Sequence, residues 1–186
     1  AIAQMREEAE KEVAERLRGI DASSSEIWCR PEVFGQAFRY LKAHKAENGL
    51  HNLRATFHVG EDFLDVTDGL RAIDEAINFL NLKCGDRLGH ALALGINVRE
   101  WYETKLYRLL ISRLSYLDNL VWLYGKIRRY RLAECEDAMR YIEKRYDELV
   151  RTIYGMYISD AKADFSINTY YEAWKLRGDN PECYRN

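Results

Sequence analysis

The sequence predicts an α/β chain: a small parallel sheet in its first half and helices alone in its second. Three observations carry this. Over residues 1–98, short runs with strand character alternate with runs of helical period, joined by short connections. Strands and helices of these lengths in alternation indicate parallel βαβ units with right-handed crossovers. From about residue 98 only helical periodicity remains, which divides the chain into residues 1–98 and 99–186.

The elements follow in order. Ile2, Met5, Ala9, Val13 and Leu17 recur every three or four residues among acidic side chains, so residues 2–17 read as a helix that Gly19 ends. Ile20-Asp21-Ala22 is a short strand running into Ser23-Ser24-Ser25. Pro31 suits a first helical position, where its missing N–H would be unpaired anyway, and Val33, Phe34, Ala37, Phe38 and Leu41 form the stripe behind it. Asn48-Gly49 closes that helix. Leu53–His58 alternates with period two, placing Leu53, Ala55 and Phe57 on one face and Arg54, Thr56 and His58 on the other. Leu70, Ile73, Ile77 and Leu80 mark a helix over 67–82, and Asp86–Ala91 is a third strand. Beyond it, helical stripes run from Val98 to Leu109, from Leu117 to Ile127 and from Ala138 to Met156.

Composition narrows the function classes. With 47% hydrophobic and 31% charged residues, the 186-residue chain has the apolar surface for a packed core and is not a disordered polymer. Lys and Arg total 28 against 30 Asp and Glu, so any attraction to nucleic acid or acidic lipid must be local. No apolar run approaches a membrane span, and the acidic N-terminal helix is unlike a signal peptide. Cys29, Cys84, Cys135 and Cys183 are scattered without a C-x-x-C pair, so free thiols of a cytoplasmic protein are expected. The Ala1 start and the ending just past Gly178-Asp179-Asn180-Pro181 suggest a piece of a longer protein.

Reactive groups of a parallel α/β sheet gather at the carboxyl ends of its strands, where the loops converge. Ser23 and Ser24 follow the first strand, His58 ends the second with Glu61 three residues on, and His90 lies near the end of the third. Gly60 permits a tight turn between His58 and Glu61. Spacing alone leaves two readings open: a reactive cluster, or ordinary hydrogen-bonded histidines. His44 and His51 fall at a helix end and are expected to be solvated.

Thr56-Phe57-His58-Val59-Gly60-Glu61, followed by a helix and Asp86-Arg87-Leu88-Gly89-His90-Ala91, resembles the H-A-G-E and R-[IL]-G-H-G motifs of the adenosine deaminase family. Gly19-Ile20-Asp21-Ala22-Ser23-Ser24-Ser25-Glu26 looks like that family's G-I-D-L-A-G-D-E strand. Ser24 stands where the family often has a substrate-contacting Gly, and Ala91 where it has Gly after the histidine. The similarity extends to Phe165–Asp179 and is closest to the deaminase components of bacterial RADAR antiphage systems, which carry a long helical insertion.

The resemblance implies a partial (β/α)8 TIM barrel, about strands four to six, with residues 99–186 as a helical insertion. It implies zinc-dependent hydrolysis of adenine to hypoxanthine in adenosine, an adenine nucleotide or RNA, in antiviral defence. His58 would be a metal ligand, Glu61 the proton shuttle at ring nitrogen N1, and His90 a catalytic group acting on the attacking water. Ser24 would contact substrate. The family's H-x-H pair and final-strand Asp are missing from this sequence. The remaining zinc ligands are therefore expected outside the chain, and the isolated chain is expected to be inactive. The alternative function is a non-catalytic interaction or scaffold module.

Residues 105–131 carry seven basic side chains against one acid, Asp118, with Tyr107, Tyr116, Trp122, Tyr124 and Tyr130 interleaved. Basic and aromatic groups together can track a phosphate backbone and stack bases, pack between helices with the cations paired to acids of residues 134–148, or form a subunit interface. The resemblance favours the interface, since the RADAR deaminase assembles into large shells, and it implies a homo-oligomer with a possible ATPase partner.

Overall fold

The computed structural model describes residues 1–9, 11–23, 25–44, 50–158 and 164–180, with side chains described up to residue 155 of the longest helix. The chain forms two compact units: residues Ala1–Asn97 with Arg177–Asn186, and residues Val98–Leu176.

The first unit is built on three parallel strands: β1 (Gly19–Ala22), β2 (Arg54–Val59) and β3 (Arg87–His90), in the order β1-β2-β3. Asp21 pairs with Thr56, and His58 with Gly89. On β2 the period-two alternation holds, with Ala55, Phe57 and Val59 buried and Arg54, Thr56 and His58 more open. The buried face packs under α3 (Gly35–Ala43) and α4 (Val66–Phe79). Phe34, Phe38 and Phe57 meet edge to face with centroids 5.5–6.2 Å apart, an arrangement aromatic quadrupoles favour. Asp65 caps α4 by accepting from the Thr67 N–H.

This sheet corrects the expected partial (β/α)8 barrel. Among the described residues the only sheet has three strands, of four to six residues, and β1 and β3 each pair with β2 alone. A barrel is a sheet closed on itself, and closure needs further strands to link the two edges. The chain instead continues into helices, so the architecture is a predominantly helical α/β chain with a small parallel sheet. The helix expected over 2–17 is also two pieces, α1 (Ile2–Glu8) and α2 (Lys11–Arg16), because Ala9 turns extended, with ψ near 154°. Pro31 opens a 3-10 turn, Pro31–Phe34, that leads into α3.

Two ionic groups lie inside this unit. Arg30 and Arg71 each bridge Asp68 and Glu75, at 2.5–3.2 Å, closing a four-membered ring of alternating charge. Burial would lower the Arg30 pKa, but Glu75 and Asp68 outweigh it and raise the pKa. Beside the ring, burial and the Glu75 charge push the Glu32 carboxyl up. Asp86 accepts from Lys42 and from the backbone N–H groups of Lys83 (2.8 Å) and Ala55 (2.9 Å). Its side chain is 2% exposed. Burial would raise the Asp86 pKa, yet these donors hold it below the usual carboxylate value. A depressed folded pKa stabilises above the unfolded value near ~4 and loses that contribution as pH falls through the folded value. Asp86→Asn is therefore expected to cost about 2 kcal/mol at pH 7, with the gap to the parent closing in urea titrations as the pH falls below the usual carboxylate value and through the lowered folded one. A gap that persists unchanged into acid would contradict this account.

The chain returns to the first unit at Arg177. Arg39 donates to the carbonyls of Gly178 (2.7 Å) and Asp179 (2.5 Å), and Asn180 donates to the Asn78 carbonyl at 2.8 Å. A Cβ on Gly178 would fall 2.4 Å from the Phe79 side chain, so this return needs glycine.

The second unit contains α5 (Val98–Thr104), α6 (Arg113–Tyr130), α7 (Glu136–Ile158) and α8 (Ile167–Lys175). The stripe expected to run to Leu109 stops at Thr104, because Leu106 and Tyr107 take left-handed backbone angles. Ser112 and Ser166 cap α6 and α8 through their hydroxyls. Leu117, Val121, Tyr146 and Trp174 are among its most buried residues, and Gly125 gives way to the Tyr171 ring. Burial first raises the Tyr146 pKa, to about 12, while its hydroxyl donates to the Phe165 carbonyl at 2.8 Å. Within the basic-aromatic stretch, Lys126 lies over Trp122, Arg128 over Tyr124 and Arg129 over Tyr130, 5.3–5.9 Å from the ring centroids. The first two are i,i+4 pairs along one helix, where cations seat on their own aromatics. No helix of the described residues is long and apolar enough to cross a membrane.

Candidate functional site

The period of β2 turns His58 away from the helices and onto the open face of the sheet, where its side chain is 23% exposed. Asp21 on β1 reaches the same face, and its Oδ1 lies 3.0 Å from His58 Nδ1. On the other flank, Gly89 of β3 sits against the imidazole: a Cβ there would fall 2.5 Å from His58 Cδ2. Glycine inside a strand thus makes room for the ring.

At the end of β3 the backbone takes two left-handed residues in succession, His90 (φ 54°), the last of the strand, and Ala91 (φ 48°). Side chains with a Cβ adopt this conformation at a cost of about 1–2 kcal/mol each, a form of strain that concentrates at functional sites. The turn brings the His90 ring to 5.3 Å from the His58 ring, centroid to centroid. Its Nε2 lies 3.3 Å from Glu61 Oε2. Glu61 belongs to the turn after β2 and is 28% exposed, while His90 is 53% exposed. The structure therefore brings His58, Glu61 and His90 together at one end of the sheet as an acid–imidazole–imidazole–acid row from Asp21 to Glu61.

Ser24, expected to contact substrate, lies outside the described residues. Its neighbours Ser23 and Ser25 line a cavity of about 40 Å3 with Cys29, Phe57 and His58. That space suits a water or two and is far too small for a purine, so a ligand of that size would approach His58 from the open face. His44 and His51 are not simply solvated: His44 Nε2 lies 3.1 Å from Glu7, and His51 lies against the Arg18 guanidinium.

Chain periodicity missed two carboxylates, Asp21 and Glu26. Asp21 was legible only as an acid within a short strand. Glu26 accepts from the backbone N–H groups of Gly60, Glu61 and Asp62 across more than thirty residues, which no local pattern reveals. Gly89 was readable, since a glycine between Leu88 and His90 signals close approach.

The chain matches no protein-family model and no curated protein. The residues themselves test the zinc expectation. An imidazole whose Nδ1 faces a carboxylate presents Nε2 as an oriented lone pair, the usual arrangement behind a metal-ligating histidine. His58 with Asp21 has that form. Among the described residues no group of three or more His, Cys, Asp or Glu side chains is placed to hold a metal ion. The fit is that of one ligand, and a complete site takes three or four.

Proposed function

We propose that this chain carries part of the site of a zinc-dependent deaminase that hydrolyses adenine to hypoxanthine in adenosine, an adenine nucleotide or RNA. The observation that supports it is the meeting of His58, His90 and Glu61 at one strand-end mouth, with His58 oriented by Asp21. His58 would supply one neutral imidazole to the zinc, and residues beyond this chain the rest. When bound, zinc makes water a nucleophile at neutral pH. Glu61 faces the open side beside His90, where a carboxyl can protonate N1 of the purine, take up a proton from the attacking water and pass that one to the departing ammonia. His90, bonded to Glu61, holds that carboxyl in place and donates toward the incoming oxygen.

The setting that accompanies this reading is a cytoplasmic, homo-oligomeric antiviral defence protein with a possible ATPase partner. Cys29, Cys84 and Cys135 as free thiols are compatible with it. The test is inosine production from adenosine with added zinc, comparing residues 1–186 with the longer chain that the proposal requires. Turnover is expected from the longer chain and none from residues 1–186, since one histidine holds zinc poorly. Robust turnover by residues 1–186 alone, or none by the longer chain on any adenine substrate, would overturn the assignment and favour an interaction module.

A further inference from the structure

We propose that Glu26 is a positioning residue whose buried carboxylate holds the turn carrying Glu61 and so aims Glu61 at His90. Glu26 is 8% exposed. One of its oxygens accepts from the Gly60 N–H at 2.6 Å, and the other from the N–H groups of Glu61 (2.9 Å) and Asp62 (3.3 Å). Three successive backbone N–H groups converging on one anion form a concavity of the kind that binds phosphates. Here the anion is the protein's own side chain.

Gly60 is fixed from its other sides as well. Its φ is +78°, and a Cβ would fall 2.6 Å from Ile73 Cδ1. Its carbonyl accepts from the Ala93 N–H at 2.9 Å, while the Val59 carbonyl accepts from the Ala91 N–H at 3.1 Å. Glu26 follows β1, Gly60–Asp62 follow β2, and Ala91–Ala93 follow β3. The segments leaving all three strands are thus tied in one knot, from which the Glu61 side chain emerges toward His90. Charge-assisted hydrogen bonds are about twice as strong as neutral ones, so removing the carboxylate loosens the turn more than losing an ordinary contact would. That Glu61 exchanges a proton rests on the deaminase reading; that Glu26 aims it rests on the geometry alone.

Glu26→Gln tests this, because Gln keeps the volume and one acceptor but sets an NH2 against backbone N–H groups. In NMR amide exchange on the 186-residue chain, residues 60–62 should exchange about 10- to 100-fold faster, with the β2 amides unchanged. The His90 imidazole signals should move toward their position in Glu61→Gln. Glu26→Asp, charged but one methylene shorter, should fall between Gln and the parent. In the longer chain, kcat should drop while KM and zinc content hold. Unchanged 60–62 amides, or unmoved His90 signals, would overturn the proposal. So would faster exchange spread over the whole first unit in both variants, which marks a residue of the fold alone. If the amides and His90 respond but neither Glu26→Gln nor Glu61→Gln alters inosine production, the deaminase reading fails and the positioning role stands.

Discussion

Glu61→Gln in the longer chain is expected to abolish turnover and leave zinc content nearly intact. Gln keeps the size and one acceptor of Glu61, and so its contact with His90, but cannot exchange a proton. General acid–base assistance is worth roughly 10²–10⁴ in rate, which sets the expected loss. Two neighbours separate the roles at the same mouth. His58→Ala should lose metal together with activity, because on the proposed reading its imidazole is a zinc ligand. His90→Ala should retain most of the metal and still lose rate, because its partner is Glu61. Metal analysis alongside steady-state rates reads all three. Equal metal loss in the three variants would mean that the residues only support the fold, and unchanged rates would remove the catalytic assignment altogether.

The largest stability effect is expected at Arg71→Met. Arg71 is 2% exposed and bridges Asp68 at 2.7 Å and Glu75 at 2.6 Å. Met keeps the apolar stem but not the guanidinium, so two buried carboxylates lose one of the two cations that bridge them. Breaking a buried ion pair from one side costs about 3–5 kcal/mol, since the stranded charge keeps its desolvation penalty. Urea unfolding of the 186-residue chain measures this through the midpoint at constant slope. A loss under about 1 kcal/mol would be the figure for a solvated pair and would contradict the burial of the ring.

The parts of the fold that were legible in the sequence are those with a strong local period. Arg54–Val59 alternates cleanly and α4 carries a continuous apolar stripe, so β2 emerges within one residue of expectation and α4 begins within one, though it ends at Phe79, three residues short of the expected 82. The break between α1 and α2 left no trace, because Ala9 is among the best helix formers. The end of α5 was equally hidden, since Leu106 and Tyr107 carry no glycine or asparagine signal for their left-handed angles. The barrel was carried by motif resemblance. Periodicity showed only three strand-like runs, and three strands are what the described residues contain.

At the site, His58, Glu61 and His90 stood out because strand ends collect reactive groups. The long-range contacts that orient them, from Asp21 to His58 and from Glu26 to the 60–62 turn, depend on which strands lie side by side. That information is tertiary. Ala91 illustrates the limit in reverse: a Cβ-bearing residue in a left-handed conformation reads from sequence as an ordinary small residue and reveals its strain only in the backbone.

The return of the chain to the first unit at Arg177 has a consequence for the order of folding. The helical unit is an excursion from residue 98 to residue 176 whose two ends belong to the same body. While its helices are unformed, docking Gly178 and Asn180 onto α3 and α4 requires closing a long flexible loop, at an entropic cost on the order of 4 kcal/mol. The contacts of the short segment behind Arg177 must therefore offset that closure cost for it to stay on the first unit.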